Sequence, residues 1–212
     1  MDLESSAAPR DFFSTCEVDV CIVVFDTPWN VFETTLESLL NQDGKYHFKV
    51  IDHSLTGEYR AMVEARKFSY CHAPDNPGYG SGNNRGLFDD NMSSPYCLIL
   101  NPDVVVHRHA LSRMITHFNN TPSCQIVVPM VVDLGGEIQY LSRQLPRPLD
   151  LFVRRFGTSV LRFFFRQRSW HHEYRHCDHQ NPLAIGSASG SCLMIRRDCF
   201  KKIKGFDERY FL

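Results

Sequence analysis

The sequence predicts an α/β fold with a mostly parallel central sheet flanked by helices. Two observations predict it: apolar strands alternate with amphipathic helical segments from residue 18 to residue 133, and the strands are nearly continuous in apolar residues, as in sheets covered on both faces. Such strands are joined by right-handed crossovers, and ligands bind beyond their carboxyl ends. The functional residues are therefore expected at that edge of the sheet.

Each element carries its own signal. The first strand is the run VDVCIVVF at 18–25. The helix after it is expected to begin with Asn30 as N-cap, because Glu33 follows three residues later as in a capping box, and to be closed by Gly44. Further strands are expected at 47–54, 68–72, 96–100 and 125–133, and further helices around 59–66 and 111–118.

Length and composition fit one folded domain. The chain has 212 residues, of which 43% are hydrophobic and 22% charged, and this is too apolar for a disordered chain. Its apolar runs fall far short of the roughly 18 residues of a membrane-spanning helix. The eight cysteines form no C-x-x-C pair, and the acidic amino terminus lacks the features of a secretory signal. These observations predict reduced core thiols and a cytoplasmic location.

Charge is divided unevenly along the chain. Residues 1–142 hold 9 Lys/Arg against 18 Asp/Glu, whereas 143–212 hold 14 against 6, which predicts a positively charged surface on the last third. Aromatic and aliphatic residues are interspersed with arginines at 149–168. Two interpretations stay open: an amphipathic helix that docks peripherally on the inner face of the cell membrane, or aromatic residues packed under the sheet with arginines facing a phosphate ligand or water.

The strongest candidate for chemistry is the segment 98–103. A buried strand ends there in Asn101 and Asp103, which places two oxygen-bearing side chains at the carboxyl edge of the sheet. A carboxylate in this position can hold a hard divalent cation that neutralises a diphosphate. The alternative is that Asn-Pro-Asp only makes a turn.

A glycine-rich segment and one further aspartate are the other candidates. In DNPGYGSGNNRG (75–86), glycines at 78, 80 and 82 let the backbone approach a ligand closely, and the residues at 83–85 offer donors at the start of a helix. The spacing is not G-x-G-x-x-G, which disfavours a dinucleotide-binding fold, and a plain glycine-rich loop is the alternative. Asp52 ends the second strand and is either a ligand group or a helix cap.

These three pieces, in this order, resemble glycosyltransferase family 2, the inverting GT-A enzymes, and within it the bacterial rhamnosyltransferases of cell-surface polysaccharide synthesis. NPGYGSGNNRG is similar to the family's N-x-G-x-x-x-G-x-N loop, LILNPDVVV to its metal-binding D-x-D strand, and SGSCLMIRRDCFKKIKGFDERYFL to its acceptor-side segment. YLSRQLPRPLDLFVRR resembles the rhamnosyltransferase branch. Two positions depart from the family: Asn101 replaces the first aspartate of the pair, and His53 stands where asparagine is usual.

The resemblance implies a donor site and a metal site. Residues 18–142 would form the nucleotide-sugar half of the GT-A domain and 143–212 the acceptor-side half, after an amino-terminal extension at 1–17. The implied metal is Mg2+ or Mn2+, held by Asp103. The implied donor is a dTDP- or UDP-sugar, and its binding residues would be Phe25, Asp52, Asn76, Gly78, Gly80, Asn83, Asn84 and Asn101.

The implied reaction is inverting transfer of rhamnose from dTDP-rhamnose to a lipid-linked or polysaccharide acceptor, with no nucleic-acid partner. Direct displacement needs a cation for the leaving diphosphate, a base for the acceptor hydroxyl and correct positioning. Family members continue after the position of Leu212 into an acidic motif that contains the base, so the base is expected beyond Leu212 and these residues alone are expected to transfer sugar poorly. Asp207 and Glu208 are the candidates if the base lies within the chain.

A rival pattern occurs at 172–176, where His-Glu-Tyr-Arg-His matches the zinc motif H-E-x-x-H. It predicts a zinc metallopeptidase, or a zinc-binding protein, if both histidines share one helical face. The surrounding segment lacks an apolar helical face and the third histidine of the extended motif, which favours the transferase interpretation. Incidental metal binding and a solvated loop are the other interpretations of the cluster His171, His172, His176, Cys177 and His179.

Overall fold

The structure, a computed structural model, describes residues 16–145 and 170–211. Within these residues the strands are β1 (Val18–Val24), β2 (Tyr46–Asp52), β3 (Ser69–His72), β4 (Tyr96–Leu100), β5 (Ile126–Val127), β6 (Val131–Val132), β7 (Ile138–Gln139) and β8 (Cys192–Arg196). The helices are α1 (Trp29–Leu40), α2 (Arg60–Glu64), α3 (Tyr79–Leu87), α4 (Ala110–Asn120) and α5 (Arg197–Lys202).

Six of these strands form one sheet in the order β3-β2-β1-β4-β8-β5. The neighbours from β3 to β4 pair in parallel, whereas β8 is antiparallel to both β4 and β5. The expected α/β fold with a mostly parallel sheet is therefore confirmed. Strand β8 comes from the last third of the chain and lies inside the same sheet, and β6 and β7 form a separate two-stranded ribbon.

Strand β1 lies inside the sheet because its sequence suits burial on both faces. All seven of its residues are buried, and successive side chains point to opposite faces. Ile22 belongs to the apolar cluster that holds Phe32 of α1 and Phe118 of α4. Cys21 belongs to a second cluster, which holds Leu87 of α3. Helices thus cover both faces of the sheet.

Helix α1 begins earlier than its sequence signal indicates, so the prediction of Asn30 as N-cap is wrong. The helix begins at Trp29 with Pro28 in the capping position, and no side chain caps it. Proline has a fixed φ of about −65° that suits a helix start, and φ at Pro28 is −55°. Proline thus sets the backbone direction at the start of the helix, while the side-chain hydrogen bonds of the expected capping box are not formed.

The single strand expected at 125–133 is divided in the structure. Strands β5 and β6 hold two residues each, and Pro129 lies between them. Proline has no N–H to donate to a strand partner, so it interrupts the ladder. Strand β5 pairs with β8 in the central sheet, whereas β6 pairs with β7.

Two sequence expectations fall largely on residues outside the described ranges. The amino-terminal extension is described only from Cys16 onward, and the arginine-rich segment at 149–168 lies in the gap between 145 and 170. Among the helices of the two described ranges, none is long and apolar enough to cross a membrane.

Strand register brings three strand ends to one edge of the sheet. Val24 at the end of β1 pairs with Asp52 at the end of β2. Ile22 in β1 pairs with Leu100 at the end of β4. The segments that follow β2, β1 and β4 therefore lie side by side, in that order, at the carboxyl edge.

Candidate functional site

A cleft of about 570 Å3 opens at this carboxyl edge, beside the ends of β1 and β4. Its wall combines four segments that are distant in sequence, through Phe25, Asp26, Asn76, Asn101, Asp103 and Phe211. Four of the predicted site residues therefore share one cleft: Phe25, Asn76, Asn101 and Asp103. The other predicted residues lie outside its wall: Asp52, Gly78, Gly80, Asn83 and Asn84.

The segment after β4 exposes Asp103 to solvent and half-buries Asn101. Its backbone is fixed from two sides. The N–H of Asn101 donates to Ser191 O at 2.8 Å, and the hydroxyl of Thr35 in α1 donates to Pro102 O at 2.8 Å. Asn-Pro-Asp therefore does make a turn, and the same turn carries a carboxylate to the cleft.

Asp26 is a cleft residue that the sequence patterns did not single out. It follows β1 with a φ of 46°, a left-handed conformation that Asp adopts more readily than most residues. Its N–H donates to Ser54 Oγ at 3.0 Å, which fixes its backbone to the segment after β2. A signal for it was present, because Asp26 follows a buried strand as Asp103 does.

Asp52 is fully buried, although the resemblance implies that it contacts the donor. The N–H of Ser54 donates to its Oδ1 at 2.8 Å, and the Tyr70 hydroxyl donates to its Oδ2. Burial, followed by the hydrogen bond to Asp52, raises the pKa of Tyr70 well above its usual value, so Tyr70 is a neutral donor at neutral pH. Asp52 thus organises the segment that holds Asp26.

The glycine-rich segment fits closely against the carboxyl-terminal residues. A Cβ added at Gly78 would lie 3.1 Å from the Phe211 ring, and one at Gly80 would lie 3.0 Å from Phe206 Cβ. Gly78 also has a φ of 104°, which residues with a side chain rarely adopt. At these two glycines, the space in which a ligand was expected is occupied by phenylalanine side chains.

Asn83 and Asn84 are buried in α3 and bind protein partners. Asn83 Nδ2 donates to Tyr79 O at 2.9 Å, while its Oδ1 has no partner among the described residues. Asn84 Nδ2 donates to Phe206 O and to Glu208 Oε1, both at 2.9 Å. The N–H of Phe206 donates back to Asn84 Oδ1 at 2.8 Å. Asn84 therefore fastens the carboxyl-terminal segment to α3.

Two more side chains hold the segments around the cleft. His53 is buried, and its Nδ1 lies 2.5 Å from Ala73 O, which fixes the segment that leads to Asn76. The hydroxyl of Tyr79 donates to Gly190 O at 2.9 Å and so ties α3 to the segment before β8. Burial raises the pKa of Tyr79 above its usual value, so this hydroxyl remains a donor at neutral pH.

The residues of the cleft fit a divalent cation that is shared with a phosphate ligand. Residues 16–145 and 170–211 contain no group of three or more His, Cys, Asp or Glu that could hold a metal by itself. Mg2+ is usually bound through one or two carboxylates plus substrate phosphates, and Asp103 with Asn101 supplies such a partial set of oxygen ligands. Within the described part of the chain, the wall contains the carboxylates of Asp26 and Asp103 and no Lys or Arg.

The H-E-x-x-H segment does not form the helix that a zinc peptidase site requires. Tyr174, between the two histidines, has a φ of 54°, and this left-handed conformation is incompatible with a continuous right-handed helix. The carboxylate that would act as the base, Glu173, accepts a hydrogen bond from Arg175 Nε at 2.6 Å. The metallopeptidase interpretation is therefore not supported by the structure.

Asp207 and Glu208, the candidate bases within the chain, both bind other side chains. Arg209 Nε donates to Asp207 Oδ1 at 2.9 Å, and the hydrogen bonds from Arg209 hold the pKa of Asp207 below its usual value. A lowered pKa makes a carboxylate a weaker proton acceptor. Glu208 accepts a hydrogen bond from Asn84 at 2.9 Å.

The chain thus combines a mostly parallel sheet with a turn after β4 that carries the carboxylate of Asp103. Comparison with known proteins identifies the family that has this arrangement. The chain belongs to glycosyl transferase family 2: the sequence model of that family matches residues 19–204. The match runs from Asp19 in β1 to Lys204, beyond the end of α5, and so covers the sheet and the cleft wall except Phe211.

Two curated relatives are similar to the chain in sequence. It is 29% identical over 148 residues to an N-acetylglucosaminyl-diphospho-decaprenol L-rhamnosyltransferase of Mycobacterium tuberculosis (strain CDC 1551 / Oshkosh), which covers 65% of this chain and 47% of the relative. It is 25% identical over 171 residues to the low-salt glycan biosynthesis hexosyltransferase Agl10 of Haloferax volcanii, which covers 80% of this chain and 50% of the relative. The chain spans about half the length of these relatives.

Solved structures share the fold. The S. aureus TarS 1-349 structure matches with a TM-score of 0.60 at 12% identity, over 92% of this chain and 52% of that chain. The mannosyltransferase PcManGT from Pyrobaculum calidifontis, in complex with GDP-Man and Mn2+, matches with a TM-score of 0.58 at 15% identity, over 92% and 49%. These likenesses confirm the GT-A fold that the sequence resemblance implied.

Proposed function

We propose that this chain provides the donor site of a metal-dependent inverting glycosyltransferase. The observation that carries the proposal is the cleft at the carboxyl edge, where Asp103 and Asn101 face the same space as Phe25. Membership of family 2 supports a nucleotide-sugar donor. The donor we propose is dTDP-rhamnose, supported by the likeness to a rhamnosyltransferase. A UDP-linked hexose is the second candidate, supported by the likeness to a hexosyltransferase.

The charge of the cleft is the reason for proposing a metal. A nucleoside diphosphate is an anion, and the wall residues of the described ranges offer it the carboxylates of Asp26 and Asp103 with no cationic side chain. Like charges at short range repel. A divalent cation held by Asp103 and Asn101 would reverse the local charge. When bound, such a cation stabilises the charge that develops on a leaving diphosphate.

The remaining wall residues position the donor. Phe25 is 52% exposed, and an exposed aromatic ring offers a face on which a nucleobase can stack. Tyr79 and Phe211 line the same cleft and add apolar surface against which the donor can pack. Positioning of this kind supplies a large part of the rate in a direct displacement.

The acceptor and the base are proposed on the family resemblance and on the relatives. We propose a saccharide or lipid-linked acceptor, since one relative is named for a decaprenol-linked substrate. The expectation that the base lies beyond Leu212 stays a prediction. Removing a general base typically costs about 100- to 10,000-fold in rate, so efficient sugar transfer by the 212-residue chain would contradict it.

We also propose a location at the cytoplasmic face of the membrane, where a lipid-linked acceptor would be met. The predicted contact is the arginine-rich segment at 149–168, outside the described residues. Binding to anionic vesicles that weakens with salt, and with Arg154→Glu and Arg155→Glu together, is the expected result of vesicle sedimentation. Equal partitioning to neutral vesicles, or no binding to either kind, would favour the packing interpretation.

Calorimetric titration tests the donor site. Wild-type protein is titrated with dTDP and with UDP, with Mn2+ or with EDTA, and the expected result is nucleotide binding that depends on Mn2+. Asp103→Ala should abolish the Mn2+-dependent part. Asp90→Ala is the matched control, because Asp90 is an exposed aspartate that does not line the cleft. Unchanged affinity in Asp103→Ala would contradict the assignment of the metal ligand.

A further inference from the structure

We infer that Lys201, Lys202 and Lys204, together with the exposed side chains of Ile203 and Phe88, form a docking surface for anionic lipid. These five residues are the lysine patch. The inference rests on the proposed location at the membrane and assigns a contact there to described residues that lie apart from the donor cleft.

The three lysines of the patch are exposed and carry unpaired charge. All three are exposed, and within residues 16–145 and 170–211 their ammonium groups have no ion-pair or hydrogen-bond partner. Residues 196–209 hold 6 Lys/Arg against 3 Asp/Glu. Of these acids, Asp207 pairs with Arg209, Glu208 binds Asn84, and Asp198 lies in the first turn of α5. The patch is therefore positively charged and suits an anionic partner.

The turn that ends α5 brings two of the lysines together. The N–H of Gly205 donates to Phe200 O and the N–H of Lys204 donates to Lys201 O, both at 3.0 Å, which is a Schellman motif. Glycine is usual at the position that Lys204 occupies, because the left-handed backbone is unfavourable for a residue with a side chain. The φ of Lys204 is 63°. A third positive charge is thus held beside Lys201 at a position where the turn itself favours glycine.

Helix stability accounts for only part of this arrangement. Lys201 and Lys202 lie in the last turn of α5, where positive charge interacts favourably with the helix dipole. Lys204 lies after the helix, and Ile203 exposes apolar surface to solvent. The helix dipole explains neither of these two residues.

The two apolar side chains of the patch indicate which anionic partner it fits. Ile203 is 55% exposed and Phe88 is 43% exposed. The Phe88 ring stacks on Phe200 of α5 with the ring centres 4.9 Å apart, and a Cβ at Gly205 would lie 2.8 Å from Phe88 Cε2. Phe88 therefore lies on the same surface as Lys204. Apolar side chains among cationic ones suit the interface of an anionic membrane, whereas a polyanion in solution uses only the charges.

The patch lies at the opposite end of α3 from the donor cleft. Tyr79 begins this helix and lines the cleft, while Phe88 follows its last residue. The nine residues of α3 span about 13 Å, at 1.5 Å a residue. The patch can therefore contact a membrane without blocking the cleft, and changes in it should leave nucleotide binding unchanged.

Vesicle sedimentation tests the patch in the 212-residue chain. Wild type is mixed with vesicles of phosphatidylcholine alone or of phosphatidylcholine with phosphatidylglycerol, and binding to the second kind is expected. Each lysine near an anionic surface strengthens binding about 5-fold. The patch variant, Lys201→Gln with Lys202→Gln and Lys204→Gln, should therefore bind about 100-fold more weakly. Ile203→Ser keeps the charge and should weaken binding by about 5-fold.

The matched control variant combines Lys45→Gln, Lys67→Gln and Arg113→Gln. It removes the same charge from three exposed positions outside the patch, and Lys67 has the same φ of 63° as Lys204. The control variant should keep most of the affinity of wild type for the anionic vesicles. Thermal unfolding confirms that all variants are folded, and titration with dTDP and Mn2+ should give the same nucleotide affinity in each.

Three results would overturn the inference. The first is unchanged vesicle binding in the patch variant, or an equal loss in the patch and control variants. The second is a loss in the patch variant with none in Ile203→Ser, which would replace the lipid surface by a polyanion in solution. The third is wild-type protein that binds neither kind of vesicle, which would also overturn the proposed membrane location. Nucleotide binding by the same protein would then leave the proposed donor site intact.

Discussion

Asn84 in α3 and Phe206 in the carboxyl-terminal segment are joined by two reciprocal hydrogen bonds. Asn84 Nδ2 donates to Phe206 O at 2.9 Å, and the N–H of Phe206 donates to Asn84 Oδ1 at 2.8 Å. The side-chain amide thus pairs with main-chain groups as a neighbouring strand would. The same segment continues to Phe211, which lines the cleft, so a buried asparagine supports one wall of the proposed donor site.

Replacing Asn84 by Ala should therefore loosen this wall. Unpaired polar groups at Phe206 should lower the free energy of unfolding by about 1 to 3 kcal/mol, measured by urea denaturation. Nucleotide affinity should fall as well, because Phe211 is no longer held at the cleft. Asn120→Ala, at an exposed position of α4, is the control. Equal nucleotide affinity in Asn84→Ala and wild type would show that the segment does not shape the donor site.

A buried ion pair joins the first strand to the last helix. Arg197 Nη2 lies 2.5 Å from Asp19 Oδ2, and the two side chains are 6% and 0% exposed. Asp19→Asn should lower the free energy of unfolding by about 3 to 5 kcal/mol, because it leaves the guanidinium buried without its counter-charge. Urea denaturation measures the loss.

The double variant Asp19→Leu with Arg197→Met is the informative comparison for this pair. Replacing both charges by apolar side chains avoids an unpaired buried charge, so the double variant should lose less stability than Asp19→Asn. A larger loss in the double variant would indicate that the other hydrogen bonds of the two side chains dominate: those from Arg197 to Ser94 O and Leu87 O, and those from the N–H and hydroxyl of Ser94 to Asp19.

Gly86 allows α3 to pack directly on β1. A Cβ at this position would overlap Cys21 Sγ. Although Ala normally stabilises an exposed helix position by up to about 1 kcal/mol over Gly, Gly86→Ala should destabilise the protein by about 1 to 3 kcal/mol through overpacking. Adding Cys21→Ala removes the overlapping atom and should recover most of the loss. Thermal unfolding that shows Gly86→Ala to be more stable than wild type would contradict this packing.

The ion pair between Lys49 and Asp89 predicts a dependence of stability on pH. The side-chain hydrogen bond from Lys49 is the largest cause that lowers the pKa of Asp89 from its usual value of 3.8. A carboxyl with a lower pKa in the folded state stabilises the fold above its unfolded pKa and loses that contribution as pH falls through the folded pKa.

The free energy of unfolding of Asp89→Asn should therefore lie below that of wild type by up to about 1 kcal/mol at neutral pH. The difference should stay constant down to about pH 5 and shrink below it. Asp90→Asn, at the neighbouring exposed position, should show no such change. If the difference in the free energy of unfolding between Asp89→Asn and wild type stayed the same down to pH 3, the contribution of Asp89 would not depend on its charge.

The sequence by itself determined the sheet and one side of the cleft. Strands β1 and β4 are apolar runs that need no distant partner to be recognised, and a polar residue directly after such a strand must lie at the edge. This local logic predicted Asn101 and Asp103 at the carboxyl edge, where both line the cleft. Applied to the end of β1, it would also have found Asp26.

Only the tertiary structure decided what the remaining site residues do. Asp52 ends a strand as the pattern requires, but Tyr70 covers it from the neighbouring strand β3. The family resemblance implies that Asn84 contacts the donor. In the structure its side chain instead binds Phe206, which lies 122 residues further along the chain. Burial and hydrogen-bond partners depend on atoms that are close in space and distant in sequence. The sequence pattern therefore predicts which residues lie at the edge of the sheet. Packing around each side chain decides whether a ligand can reach it.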